Sequence, residues 1–143
     1  MTEYYHHGVS YLYTKGTTWP YCLTKGYQAI LDAEPADHIF TEQLQYMKGG
    51  FLAIGKDYAW DGPSGPIVDT LTNIRASLVH DALYQLIRLK LLPMSFRKNA
   101  DKELYRIMIE DGASHFRALY YYYAVRAFGK KYAKKLTPKD KQT

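Results

Sequence analysis

His80 and Asp81 are adjacent in the sequence, and Tyr84 follows His80 by four positions. Residues four apart share one face of a helix, so the imidazole and the phenol would point the same way. Asp81 would be turned by about 100° from His80, toward the side of Ser77 and Arg88. This arrangement suits a neutral imidazole that acts as a general base and a carboxylate that holds another group, such as a cation. The alternative is that both side chains pair only with solvent or with Arg88.

Asp101 is a candidate to orient that imidazole. Its spacing from Leu104, Tyr105 and Met108 places it on or beside the inward face of a later helix, and a buried carboxylate needs a partner. A carboxylate that accepts a hydrogen bond from one ring nitrogen fixes the tautomer and supports the imidazolium formed when the other nitrogen takes a proton. The alternative is that Asp101 is there because a negative charge is favourable in the first turn of a helix.

The segment 60–66, with the sequence WDGPSGP, is a dense series of turn-forming residues. Glycine and proline at this density can direct carbonyl oxygens into one concavity. Carbonyl oxygens together with one Asp carboxylate are typical ligands of calcium. A plain β-turn is the alternative.

Two kinds of secondary structure must position these residues. The first sixty residues are rich in Tyr, Thr, Gly and β-branched residues, and they predict small β structure with strands near Val9 to Tyr13, Tyr27 to Leu31 and Phe51 to Ile54. From residue 69 the pattern becomes helical, so an α+β fold is expected.

Three helices are predicted in the second part. The first is capped by Asp69 or Thr70 and is closed by Pro93, and the second starts after Asn99 and ends near Gly112. The third begins at Ser114. The apolar positions of the three helices are Leu71, Ile74, Leu78, Ala82, Leu86 and Leu89, then Leu104, Ile107 and Met108, and then Phe116, Leu119, Tyr120, Tyr123 and Ala127. The last series is interpreted as a packing stripe.

Length and composition favour one domain over residues 1–136, with a β-rich part at 1–60, a helical core at 69–129 and a basic flexible tail at 137–143. Cys22 is the one cysteine, so packing must hold the fold. No run is apolar enough to span a membrane, and no signal peptide is expected. Most of the net charge of +5 lies from Arg126 onward, which suggests a solubilising tail or attraction to phosphate-rich surfaces. DNA binding is the weaker interpretation because the folded body is close to neutral.

Four segments, 60–65, 75–84 (RASLVHDALY), 100–101 and 125–129 (VRAFG), resemble an uncharacterised domain family of phages and prophages. The same region is similar to phospholipase A2, especially to the disulfide-free form of parvoviral capsid proteins. This resemblance implies antiparallel catalytic helices and a host cytoplasm or virion location. It also implies that phospholipid, an anionic membrane surface or other phage particle proteins are the partners.

The phospholipase resemblance assigns a role to each candidate residue. His80 would activate water, Asp101 would orient His80, and Tyr84 would bond to Asp101. Asp81 and the carbonyl groups of Trp60, Gly62 and Ser64, which precede His80 by twenty, eighteen and sixteen positions, would hold Ca²⁺. Ser64 stands where the class has glycine. Ala76 and Ser77 stand where the secreted enzymes have cysteines, and the interval from His80 to Asp101 is shorter than in those forms.

These features predict calcium-dependent hydrolysis of a glycerophospholipid ester. Two alternatives remain open. One keeps the hydrolytic site but acts on another cell-envelope ester or amide. The other is a non-enzymatic phage particle or host-interaction protein on the same scaffold, whose fifteen tyrosines form a contact surface.

Overall fold

The computed structural model describes residues 2–62 and 71–142 of an α+β protein. Antiparallel strands come first and helices follow, as the sequence predicts. The chain divides into two compact units, Met1–Gly62 and Pro63–Thr143, and the expectation of one domain stays a prediction. The boundary lies where the apolar pattern changes from the two-residue period of strands to the 3.6-residue period of helices.

Residues 2–62 of the first unit contain eight short strands in two antiparallel four-stranded sheets, with the orders β1-β2-β3-β8 and β4-β7-β6-β5. The strands are β1 Glu3–His6, β2 Val9–Tyr13, β3 Tyr21–Leu23, β4 Tyr27–Ile30, β5 Ile39–Phe40, β6 Leu44–Tyr46, β7 Phe51–Ile54 and β8 Ala59–Trp60. The bounds of β2 and β7 are the predicted ones, and β4 ends one residue early. The other five strands were not predicted from the sequence.

The described part of the second unit, residues 71–142, contains four α-helices and two short 3-10 turns. The helices are α1 Ile74–Arg88, α2 Arg97–Glu110, α3 His115–Phe128 and α4 Lys130–Lys134, and the 3-10 turns are Met94–Phe96 and Asp140–Gln142. Within the described ranges, no helix combines the length and the apolar character that crossing a membrane requires.

The helix ends only partly follow the predictions. The proposed caps Asp69 and Thr70 lie outside the described residues, and α1 begins after Asn73, whose side-chain amide donates to the Tyr121 hydroxyl at 3.1 Å. Helix α2 starts at Arg97, whereas the sequence predicts a start after Asn99. Gly112 follows its end with a φ of 100°, which is the expected left-handed conformation. Ser114 caps α3 by accepting from the Arg117 amide.

The packing face of α3 differs from the prediction. The side chains expected to pack are exposed, Phe116 to 83% and Tyr123 to 64%. The buried face consists of Ala118, Tyr121, Ala124 and Val125. Both series have helical spacing, because α3 carries apolar residues on nearly every side, so the period alone could not select the inner face.

The segment 137–142, expected as a flexible tail, lies against α1. Asp140 is 1% exposed, and it accepts from Arg88 through two hydrogen bonds of 2.7 and 3.1 Å. The Thr137 amide also donates to Asp140, at 2.7 Å. One acidic residue of this segment therefore has a buried arginine as its partner.

Candidate active site

Helices α1 and α2 run antiparallel, and the candidate residues face each other between them. Arg75 contacts Asp111, His80 contacts Asp101, and Tyr84 contacts Arg97. The residue number on α2 therefore falls as the number on α1 rises. Two helices that run in opposite directions bring the middle of α1 beside the first half of α2, so residues 21 positions apart can meet.

His80, Tyr84 and Asp101 form a buried hydrogen-bonded group. Nε2 of His80 and the hydroxyl of Tyr84 each lie 2.7 Å from Oδ1 of Asp101. The carboxylate is fully buried, as its position in α2 predicts, and the His80 side chain is 11% exposed. The structure thus brings together the three residues that the sequence analysis named as catalytic, and their catalytic roles stay a prediction.

The protonation states follow from these contacts. Burial alone would raise the pKa of Asp101, but hydrogen bonds from His80, Tyr84 and Arg126 outweigh it and hold that pKa below its usual range. Burial and the adjacent Asp101 carboxylate raise the pKa of Tyr84 far above its usual range. Asp101 is therefore a carboxylate that only accepts, and Nε2 of His80 must donate to it. In the neutral ring the lone pair is then on Nδ1, which has no hydrogen-bond partner among the described residues.

Two arginines that were not predicted as site residues complete the group. Nη1 of Arg126 donates to Oδ2 of Asp101 at 2.8 Å, and Nη1 of Arg97 lies 3.5 Å from the same oxygen. With His80 neutral, the two guanidinium groups and Asp101 leave one net positive charge in the cluster. Arg97 precedes Asp101 by four positions, a spacing that could have identified it. Arg126 gave no comparable signal beyond its place in the segment 125–129.

Arg97 also fixes the end of α3. Its guanidinium donates to the carbonyl oxygens of Val125, at 2.9 Å, and Arg126, at 3.2 Å. At Gly129 a Cβ atom would lie 2.7 Å from the Tyr84 hydroxyl oxygen and 3.1 Å from Nη1 of Arg97. The absence of a side chain at Gly129 therefore allows the backbone to lie against the buried group.

Asp81 lies outside this hydrogen-bonded group. Nζ of Lys139 lies 2.5 Å from its Oδ2, and the Lys139 side chain is 8% exposed. As it stands, this carboxylate does not fit a calcium ion, because an ammonium group already neutralises it and two cations on one carboxylate repel each other. Calcium binding stays a prediction that requires Lys139 to leave Asp81.

Of the other predicted calcium ligands, Trp60 and Gly62 belong to the first unit. Trp60 is buried in β8 of the first unit, where it pairs with Tyr21 and stacks on its ring, and Gly62 follows in coil with a φ of 85°. Ser64 lies outside the described residues. In the ranges 2–62 and 71–142, no group of three or more His, Cys, Asp or Glu side chains could hold a metal ion.

Residues 66–125 match the model of a family described as a protein of unknown function, DUF1353. The matched region includes His80, Asp81, Tyr84, Arg97 and Asp101, and it ends one residue before Arg126. No curated protein and no solved structure matches the chain.

Proposed function

We propose that the helical unit is a hydrolase with a phospholipase A2-like core, in which His80 activates water for attack on a glycerophospholipid ester. The proposal depends mainly on one observation, the 2.7 Å contact of His80 Nε2 with the buried Asp101 carboxylate, because it leaves Nδ1 as a proton acceptor. The resemblance of residues 60–65, 75–84 and 100–101 to phospholipase A2 supplies the reaction and the substrate class.

In this mechanism a water molecule donates a hydrogen bond to Nδ1 of His80 and attacks the ester carbonyl carbon. Its proton passes to Nδ1, and the imidazolium keeps its Nε2 proton on Asp101. The imidazolium then gives the proton to the leaving alkoxide, so the products are a carboxylic acid and an alcohol. Tyr84 and Arg126 hold the carboxylate in place throughout. The net positive charge of the cluster favours the negative charge that develops on the carbonyl oxygen.

A second observation favours a lipid substrate. The outer face of α3, which consists of Phe116, Leu119, Tyr120, Tyr123 and Phe128, is apolar and exposed. Exposed basic residues accompany it at Arg117, Lys130, Lys131, Lys134 and Lys135, and no acidic residue occurs from Gly112 to Lys139. Aromatic side chains next to lysines are typical of segments that lie on anionic membranes, whereas lysine is depleted in protein interfaces.

The catalytic half of the proposal is tested with a fluorogenic phospholipid in anionic vesicles. We expect hydrolysis by the wild type and a loss of at least about 100-fold in His80→Gln. His38→Gln is the matched control, because His38 is an exposed histidine of the first unit. Hydrolysis that persists in His80→Gln rejects the mechanism. Parallel assays with calcium and with chelator test calcium dependence, and a panel of other esters and amides tests the substrate class.

A non-enzymatic contact protein is the second candidate, and the exposed tyrosines of α3 favour it. The two candidates differ in which variants matter. If His80→Gln and Asp101→Asn preserve the biological phenotype while Tyr120→Ser and Tyr123→Ser abolish it, the protein acts through contact. The opposite pattern supports the hydrolase.

A further inference from the structure

The segment 137–142, here named the clasp, contacts α1 through two ion pairs, and it supplies the cation of one pair and the anion of the other. Lys139 of the clasp pairs with Asp81 of α1, and Asp140 of the clasp pairs with Arg88 of α1. Asp81 and Arg88 are two helical turns apart, about 10 Å along the axis. The alternation of charge fixes the position of the clasp, because a shift along α1 would bring like charges together.

The clasp is locally ordered by its own hydrogen bonds. The Asp140 amide donates to the Thr137 carbonyl at 3.0 Å, and the Thr137 amide donates to the Asp140 carboxylate at 2.7 Å. These two bonds close a tight turn. Arg88 also reaches the Tyr132 carbonyl at 3.0 Å, so the same guanidinium holds both α4 and the clasp. Lys139 is therefore delivered to Asp81 by an anchored turn and not by a free chain.

We infer that Lys139 is the resident counter-ion of Asp81, so that the position beside the proposed base is filled by an ammonium group of the chain itself and takes no divalent cation. Lys139 and Asp140 are both buried. Their ion pairs with Asp81 and Arg88 are therefore part of the folded structure and are not surface contacts screened by salt. The inference relies on the proposed function only in treating His80 as the base.

A double-mutant cycle on the full chain tests the pair. We expect Asp81→Asn and Lys139→Met each to lower Tm by about 3–6 °C, and the double variant to lower it by no more than the larger single effect. Lys141→Met is the matched control, because Lys141 is an exposed lysine two positions along, and its Tm should not move. Additive effects of the two substitutions overturn the inference.

The clasp and calcium give two further readouts. Asp140→Asn should weaken the Asp81–Lys139 coupling, because it removes the negative charge that holds the clasp on Arg88. An unchanged coupling contradicts the anchoring. Calorimetric titration with about 1 mM calcium should give the same binding heat for the wild type and for Asp81→Asn, because no calcium binds at Asp81. Calcium binding that is lost in Asp81→Asn overturns the inference, and any other result supports it. These readouts need no activity, so an inactive wild type with a coupled pair would reject the proposed function and still support the clasp.

Discussion

Nε2 of His80 lies 2.7 Å from Oδ1 of Asp101, and this contact joins the middle of α1 to the first half of α2. The same carboxylate has partners on three helices, since Tyr84 belongs to α1, Arg97 to α2 and Arg126 to α3. The Asp101 carboxylate thus joins the three helices to one another and also orients the His80 imidazole. Substitutions around it should therefore separate effects on stability from effects on catalysis.

Tyr84→Phe removes one hydrogen bond to Asp101 and keeps the ring. The loss should be about 1 kcal/mol in the free energy of unfolding, because the carboxylate keeps its bonds from His80 and Arg126. Chemical denaturation measures it. Hydrolysis should fall far less than in His80→Gln, and an equal loss in both variants would show that the hydroxyl takes part in the chemistry directly.

Gly129→Ala should lower the free energy of unfolding by about 2–3 kcal/mol. The added Cβ would lie 2.4 Å from the Val125 carbonyl oxygen and 2.7 Å from the Tyr84 hydroxyl, so α3 or the tyrosine must shift. Adding Tyr84→Phe removes the second clash and should make the combined effect smaller than the sum of the two. Denaturation of the four proteins in this cycle measures the difference, and strict additivity would contradict the close approach.

The helical unit should lose stability in acid as Asp101 and Asp140 become protonated. In the folded state the hydrogen bonds of Asp101 outweigh burial and lower its pKa, and those from Arg88 and Thr137 do the same for Asp140. The unfolded chain therefore binds protons first, and the stabilisation is complete above pH about 4 and is lost as the pH falls through the folded-state values.

Urea denaturation at pH values from about 7 down to about 2 measures this loss. Asp101→Asn should be less stable than the wild type at neutral pH, with a flatter decline in acid because one of the carboxyl groups with a lowered pKa is gone. A decline as steep as that of the wild type would mean that Asp101 contributes nothing to the acid sensitivity.

Tyr121 and Tyr123 lie two positions apart on α3 and test which face packs. Tyr121 is 3% exposed and its hydroxyl accepts from Asn73, whereas Tyr123 is 64% exposed. Tyr121→Ala should cost about 3 kcal/mol, and Tyr123→Ala less than about 0.5 kcal/mol. Thermal or urea unfolding of the two variants decides between the faces, since the order reverses if the face predicted from the sequence is the buried one.

The sequence predicted the parts of the structure whose pattern is local. The direction of Asp101 followed from its spacing to Leu104 and Met108, and the strands Val9–Tyr13 and Phe51–Ile54 were long enough to be read from composition. Strands of two or three residues, such as β5 and β8, are too short for alternation to be recognised.

The remaining features depend on contacts between distant positions. Lys139 and Asp140 belong to a basic run that resembles a solvated tail, and their partners Asp81 and Arg88 lie 58 and 52 positions earlier. Nothing in a local window distinguishes a lysine that will be buried beside a carboxylate from one that stays in water. The inner face of α3 was equally undetermined, because both of its faces are apolar.

Arg97 links α3 to the Asp101–His80 pair. Its guanidinium holds the carbonyl groups of Val125 and Arg126 and also lies against Asp101. Rotation of α3 about its axis would therefore change the electric field at the His80 ring. We therefore expect the nuclear magnetic resonance signals of the His80 ring to shift when a ligand binds to the outer face of α3, even if that ligand does not touch the imidazole.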